Sequence, residues 1–356
     1  DGRSATLWQE GWVHEVVGGG RYETAQLRFF PDGDRFLTMR STGGFGVWSA
    51  WSGVQLSEFL DIGAELSDVQ IFPDGRRIAC LTMEGRTNIL SAASGELLRS
   101  LVPAAERAPN TVRVFPDNER LVTGGYRLPG QVVIIWNATD GAVLHRLARS
   151  SDQVMYLVLS VCGGSLVTGG HRSVVVWDTA TGLPRREITR YTVSGGVDIS
   201  QGGATLVRSE NRCIMVWGSG DSDPQPRSEL CASRAITALA LLPDGRRVVG
   251  VTPAEAVVWD VETGERLQLL EKDGFVAQSV AVSPGGDVVA ACGGMAVTDL
   301  GQQVSTITTK AWEVATGRLI HDAVDQGAQD IEFIVPVWRC SVAWAPTGAA
   351  LKLLHT

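Results

Sequence analysis

Lysine is nearly missing from this chain: Lys272, Lys310 and Lys352 are the three among 31 basic residues, so almost every positive charge is an arginine. Acidic residues number 39, and the resulting net charge of −8 favours solubility and argues against broad, non-specific binding to nucleic acid. No apolar run approaches the roughly 18 residues of a membrane span, and the first residues do not read as a basic segment followed by an apolar one, so no membrane insertion is expected. There is no CxxC pair: Cys80, Cys162, Cys213, Cys231, Cys292 and Cys340 are widely separated, which reads as reduced thiols in a cytoplasmic protein. Cys80 and Cys292 fall at matching places in apolar runs, as small core residues would.

Catalytic signatures are missing too. The histidines, His14, His145, His171, His321 and His355, are scattered, with no HExxH pair and no His/Cys spacing suited to zinc. There is no CxxCH haem attachment, no GxxxxGK[ST] phosphate loop and no GxSxG elbow. Gly18-Gly19-Gly20 and Gly124-Gly125 sit where strands end and read as turns. The expectation is a non-enzyme without cofactor.

What the chain has is 41 glycines, 44% hydrophobic residues and two alternating turn signals. One is a hairpin turn between short apolar runs. It occurs as Pro31-Asp32-Gly33, Pro73-Asp74-Gly75, Pro116-Asp117-Asn118 and Pro243-Asp244-Gly245, with looser copies at Cys162-Gly163-Gly164, Gln201-Gly202-Gly203, Pro284-Gly285-Gly286 and Pro346-Thr347-Gly348. The other ends an apolar strand anchored by Trp8, Trp48, Leu90, Trp136, Trp177, Trp217, Trp259 or Trp312. It is clearest in Val174-Val175-Val176-Trp177-Asp178-Thr179-Ala180-Thr181-Gly182. Successive anchors lie 40 to 53 residues apart, the period of a four-stranded propeller blade.

Residues 236–270 show the plan of one blade, with strands a to d at Ile236–Leu241, Arg247–Val251, Ala256–Trp259 and Glu265–Leu270. Strands a to c are almost continuously apolar, as strands covered on both faces are; strand d mixes in charge, as a solvated outer strand does. The chain opens with c- and d-type strands and closes with a- and b-type ones. The expected fold is therefore all-β: a single domain over residues 1–356, an eight-bladed β-propeller of four-stranded antiparallel blades. Seven complete blades are expected from about 22 to 323, and a closing blade from 1–20 plus 338–356. The competing count is seven blades with two ragged tails.

The tryptophan strands, the Trp177-Asp178 and Trp259-Asp260 dipeptides and the Thr-Gly turns after them resemble the WD-repeat β-propeller family along essentially the whole chain. Family repeats place Ser or Thr four residues before the tryptophan and Asp six before. Ser173 and Thr308 fit the first position, while His171 and Thr306 occupy the second, so the family's hydrogen-bonded tetrad is mostly replaced. The resemblance implies a scaffold that binds another protein or a neighbouring domain of a larger polypeptide, and a start at Asp1 suits a domain of a longer chain.

In such a blade the a–b and c–d turns lie on one face and the b–c and d–a loops on the other. Here the second set varies in length, the longest loops being expected at 293–305 and 322–340. Variable loops on a rigid scaffold are where binding concentrates. Arginine and aromatic side chains are the usual interface anchors. The candidates on that face are Arg40, Arg86, Tyr126, Arg127, His171, Arg172, Arg190, Tyr191, Arg212, Arg234 and Trp338, the last beside the apolar run 331–337. Glu84, Asp152 and Glu210 lie near these arginines in sequence. Two further readings are a small-molecule or quinoprotein-like enzymatic site at the central channel, and recognition of an acidic ligand or nucleic acid by the arginine loops.

Overall fold

The computed structural model describes residues 4–9, 12–17, 24–40, 44–50, 52, 54–59, 65–103, 109–125, 133–147, 154, 156–170, 173–189, 196–218, 225–270, 276–299, 302–326, 340–344 and 351–355. For some of these, including 4–9, 12–17, 294–299, 302–308, 340–344 and 351–355, the description is of backbone alone.

The chain opens with β1 (Ser4–Gln9) and β2 (Trp12–Val17). Blade 1 is β3 (Thr24–Phe29), β4 (Arg35–Arg40), β5 (Phe45–Ser49) and β6 (Gln55–Phe59). Blade 2 is β7 (Leu66–Ile71), β8 (Arg77–Thr82), β9 (Thr87–Ser91) and β10 (Leu97–Leu101). Blade 3 is β11 (Thr111–Val114), β12 (Arg120–Gly124), β13 (Val133–Asn137) and β14 (Val143–Leu147). Blade 4 is β15 (Tyr156–Leu159), β16 (Ser165–Gly169), β17 (Ser173–Asp178) and β18 (Pro184–Thr189). Blade 5 is β19 (Val197–Ile199), β20 (Thr205–Glu210), β21 (Cys213–Gly218) and β22 (Ser228–Cys231). Blade 6 is β23 (Ala238–Leu241), β24 (Arg247–Val251), β25 (Ala256–Asp260) and β26 (Arg266–Leu270). Blade 7 is β27 (Val276–Val282), β28 (Val288–Asp299), β29 (Gln302–Glu313) and β30 (Leu319–Gln326). The chain closes with β31 (Cys340–Trp344) and β32 (Leu351–His355).

Each blade is an antiparallel sheet of consecutive strands. The first strand of one blade touches the first strand of the next, β3 on β7, β7 on β11 and so on to β27, which places the a strands innermost around the axis. Side chains alternate across a strand, and each strand therefore feeds two cores. Val248, Val257 and Trp259 of blade 6 pack with Val207 and Ile214 of blade 5. Val249, Val251 and Val258 pack instead with Ala277, Val289 and Trp312 of blade 7. Comparable clusters lie between blades 1 and 2, 2 and 3, 3 and 4, and 4 and 5.

The expected count of eight blades is corrected here. Seven blades are continuous in sequence and are joined by described apolar cores. The remaining strands, from the two ends of the chain, pair as a four-stranded sheet in the order β2-β1-β32-β31, with β31 lying beside β27 and both β31 and β32 touching β3. A blade is defined by the core it shares with its neighbours, and the side chains of these four strands lie outside the described residues. Seven packed blades is the count the described cores support.

A second correction concerns blade 7. Residues 293–305 do not form an irregular loop; β28 and β29 are each 12 residues long and pair as far as Asp299 opposite Gln302. The β-branched residues Val297, Val304, Thr306 and Ile307 suit an extended hairpin, and Gly293-Gly294 does not interrupt it. Likewise β30 runs on to Gln326, into the stretch expected to be loop from 322.

Candidate interaction faces

The face of the a–b turns is built from a repeated local unit. In Pro31-Asp32-Gly33 the Gly33 N–H donates to the Phe30 carbonyl and Gly33 takes φ 73°, the left-handed conformation that such a turn requires. Asn118 fills the same position with φ 61°. The turn aspartate then captures the arginine that opens strand b, at 2.7 Å for Arg35–Asp32, 2.9 Å for Arg77–Asp74, 2.6 Å for Arg120–Asp117 and 2.6 Å for Arg247–Asp244. In the first three the guanidinium lies 4.3 Å from the centre of Phe30, Phe72 or Phe115, within cation–π range. Arg77 also donates to the Asn118 carbonyl and Arg120 to the Thr179 carbonyl, tying each blade to the next.

The c–d turns on the same face explain the Trp-Asp dipeptide. Asp178 accepts from the N–H groups of Ala180 and Thr181, and Asp260 from those of Glu262 and Thr263. Asn137 does the same work with an amide oxygen. The Arg185 guanidinium and these backbone donors hold the Asp178 carboxyl down at about 2. For Asp260, the Thr263 N–H and the neighbouring donors, with Arg246, lower it to about 2. The tryptophans are held by a bond that sequence reasoning missed: the Nε1–H groups of Trp48, Trp136 and Trp177 donate to the hydroxyls of Thr38, Thr123 and Thr168 on strand b, at 2.8, 2.9 and 2.7 Å. A threonine repeated three residues into strand b was the available signal. Blade 5 has the fully buried Arg208 there instead.

On the face of the b–c and d–a loops, Tyr126, Arg127, His171, Arg172, Arg190, Tyr191, Trp338 and the 331–337 run lie outside the described residues, as does Asp152. Arg40 ends β4, and its side chain is likewise outside them. Arg86, Arg212 and Arg234 are described and exposed, and among the described residues none of the three has an ion-pair partner. Arg86 lies between β8 and β9 in blade 2, apart from the other two. Arg212 and Arg234 lie on adjoining loops, because Ala232 N–H donates to the Arg212 carbonyl at 2.8 Å and Ile236 N–H to the Asn211 carbonyl at 2.7 Å. Glu255 touches this corner by accepting from Ser233 N–H at 2.6 Å. Glu84 is exposed, whereas Glu210 is buried and does not present its charge on the surface.

The same corner carries a disulfide. Cys213 and Cys231 face one another across β21 and β22 and are bonded, and Cys292 is also disulfide-bonded. The expectation of uniformly reduced cysteines is therefore corrected; cross-strand facing, which no Cys spacing reveals, is the reason. Cys80 and Cys162 are free, and burial pushes the Cys80 thiol well up from its ordinary value.

The axis brings together residues that sequence reasoning did not nominate. Asp68 on β7 is buried and accepts from Val69 N–H at 2.9 Å, Val112 N–H at 3.0 Å and Arg113 Nη1 at 2.9 Å, with Arg28 Nη2 at 3.5 Å. One carboxylate thus sits between two guanidiniums from blades 1 and 3. Beside it, a cavity of about 450 Å³ opens between the a strands of blades 2, 3 and 4 toward their a–b turns. The signal in the sequence was charge placed in strands that otherwise read as apolar. Among the described residues no group of three or more His, Cys, Asp and Glu is placed to hold a metal ion. Among the described residues no helix is long and apolar enough to cross a membrane.

No protein-family model matches the chain, and no curated protein matches it.

Proposed function

We propose that this β-propeller is a non-catalytic protein-interaction module of the WD-repeat kind, docking its b–c and d–a loop face on an acidic surface of another protein or of a neighbouring domain. The observation that carries this reading is the contrast between arginines. Those that follow a Pro-Asp turn are each bound to the aspartate of their own turn. Arg86, Arg212 and Arg234 on the opposite face are exposed without an acidic partner among the described residues. Arginine offers planar, forked donors to carboxylates and is a usual interface anchor. The Cys213–Cys231 bond beside Arg212 fixes the corner, which lowers the ordering cost of binding. Such a bond also makes an oxidising compartment the better reading than the cytoplasm expected from Cys spacing.

The test is affinity capture with cross-linking from the source cells, comparing the wild type with Arg212→Glu/Arg234→Glu. The expected result is loss of a discrete set of acidic partners while the melting temperature is unchanged. An identical partner set would sink the docking-face reading.

A further inference from the structure

We propose that the cavity at the a–b end of the axis binds a small organic acid: a carboxylate carried on an apolar body. This site is separate from the docking face and does not depend on it. About 450 Å³ is within the range of small-molecule sites. Its wall divides into two kinds of surface. Val114, Val158, Leu159 and Val161, with Pro73 and Pro116, line one part; Arg113 and Gln70, with Ser160, supply the polar part.

Arg113 is the residue that selects charge. Its Nη1 is engaged by Asp68 and by the Val112 carbonyl at 2.7 Å. Its Nε and Nη2 have no partner among the described residues, and 36% of the side chain reaches solvent. A guanidinium fork with two donors in hand is matched by one carboxylate, bound in parallel bonds. The Gln70 side chain has no hydrogen-bond partner among the described residues, so its amide can donate to the second lone pairs of the bound carboxylate. Around the ring the positions equivalent to Gln70 and Arg113 are Arg28, Val158, Asp198, Ala240 and Ala281 in blades 1, 4, 5, 6 and 7. Within the cavity itself, a ligand is oriented with its acid toward Arg113 and Gln70 of blades 3 and 2 and its body toward Val158, Leu159 and Val161 of blade 4.

The experiment is isothermal titration of the full chain with octanoate, n-octylammonium and acetate. Octanoate is expected to bind saturably at one site, with acetate and octylammonium each at least about tenfold weaker, since one lacks the body and the other has the wrong charge. Arg113→Gln is expected to weaken octanoate by at least about tenfold. Val158→Glu, which puts a negative charge on the apolar wall, is expected to abolish binding and decides the matter if Arg113→Gln fails to fold. Absence of saturable octanoate binding, equal affinity for octylammonium, or full binding by either variant would overturn the proposal.

Discussion

Replacing Asp68 by alanine tests how the ring is held at its axis. The carboxylate accepts two backbone N–H bonds, from Val69 at 2.9 Å and Val112 at 3.0 Å, and both residues are fully buried. Alanine leaves both donors without an acceptor, at about 1–3 kcal/mol each. The ion pairs to Arg113 and Arg28 add less, because 36% and 33% of those side chains are exposed and water replaces part of what is lost. The expected loss is about 3–5 kcal/mol, as for breaking a buried pair from one side. It is read as a lower urea midpoint with unchanged slope. Asp198 is the internal comparison: it accepts from Ile199 N–H and Leu241 N–H at 2.8 Å each, spanning blades 5 and 6, and no arginine is bonded to it among the described residues. Burial raises its carboxyl pKa, so ionising it costs stability as pH rises from the ordinary carboxylate value through the raised one, and Asp198→Ala recovers that cost. Its net loss should be the smaller of the two. A loss below about 1 kcal/mol for Asp68→Ala would refute the view that this carboxylate ties blades 2 and 3 together.

Three further outcomes are expected. Gly182→Ala should cost about 1–3 kcal/mol in thermal unfolding, since Gly182 has φ +68° and an added Cβ would lie 2.6 Å from His145 Nδ1. A normal melting temperature would show that the turn relaxes freely. Asp260 has a folded pKa of about 2, below its ordinary value near 3.9, so it stabilises the fold above that value and the contribution disappears as pH falls toward 2. Asp260→Asn, which keeps the turn acceptor as Asn137 does, should flatten acid unfolding between about pH 4 and 2, and an unchanged acid limb would contradict this. Replacing Cys213 and Cys231 with alanine opens a link spanning 18 residues and should lower stability by about 3 kcal/mol. Equal denaturation midpoints for the two forms would argue that the bond does not constrain the chain.

What the sequence made legible was whatever obeys a local rule. Pro-Asp-Gly turns need a left-handed third residue, and Gly33, Gly75 and Gly245 take φ 73°, 66° and 67°. Strand c needs apolar residues on both faces, and Val174, Val176 and Trp177 are buried accordingly. Blade 6 was expected at Arg247–Val251 for strand b and is found there. The features that were missed depend on what faces what across strands or blades. Cys213 meets Cys231 through a register that composition does not encode. Residues 293–305 read in sequence as one of the longest variable loops, yet backbone pairing across the hairpin carries β28 and β29 through them. The arginine candidates were chosen by loop position, and of those described, Arg212 and Arg234 come together while Arg86 does not. Arg28, Asp68 and Arg113 were passed over because strand a reads as apolar wall. Curling successive sheets around one axis brings residues some 40 positions apart into contact, turning three isolated exceptions into one charged cluster beside a cavity. In a repeat protein, chemistry is therefore better sought by aligning the blades and asking which positions break the pattern on the same side of the ring than by searching for motifs along the chain.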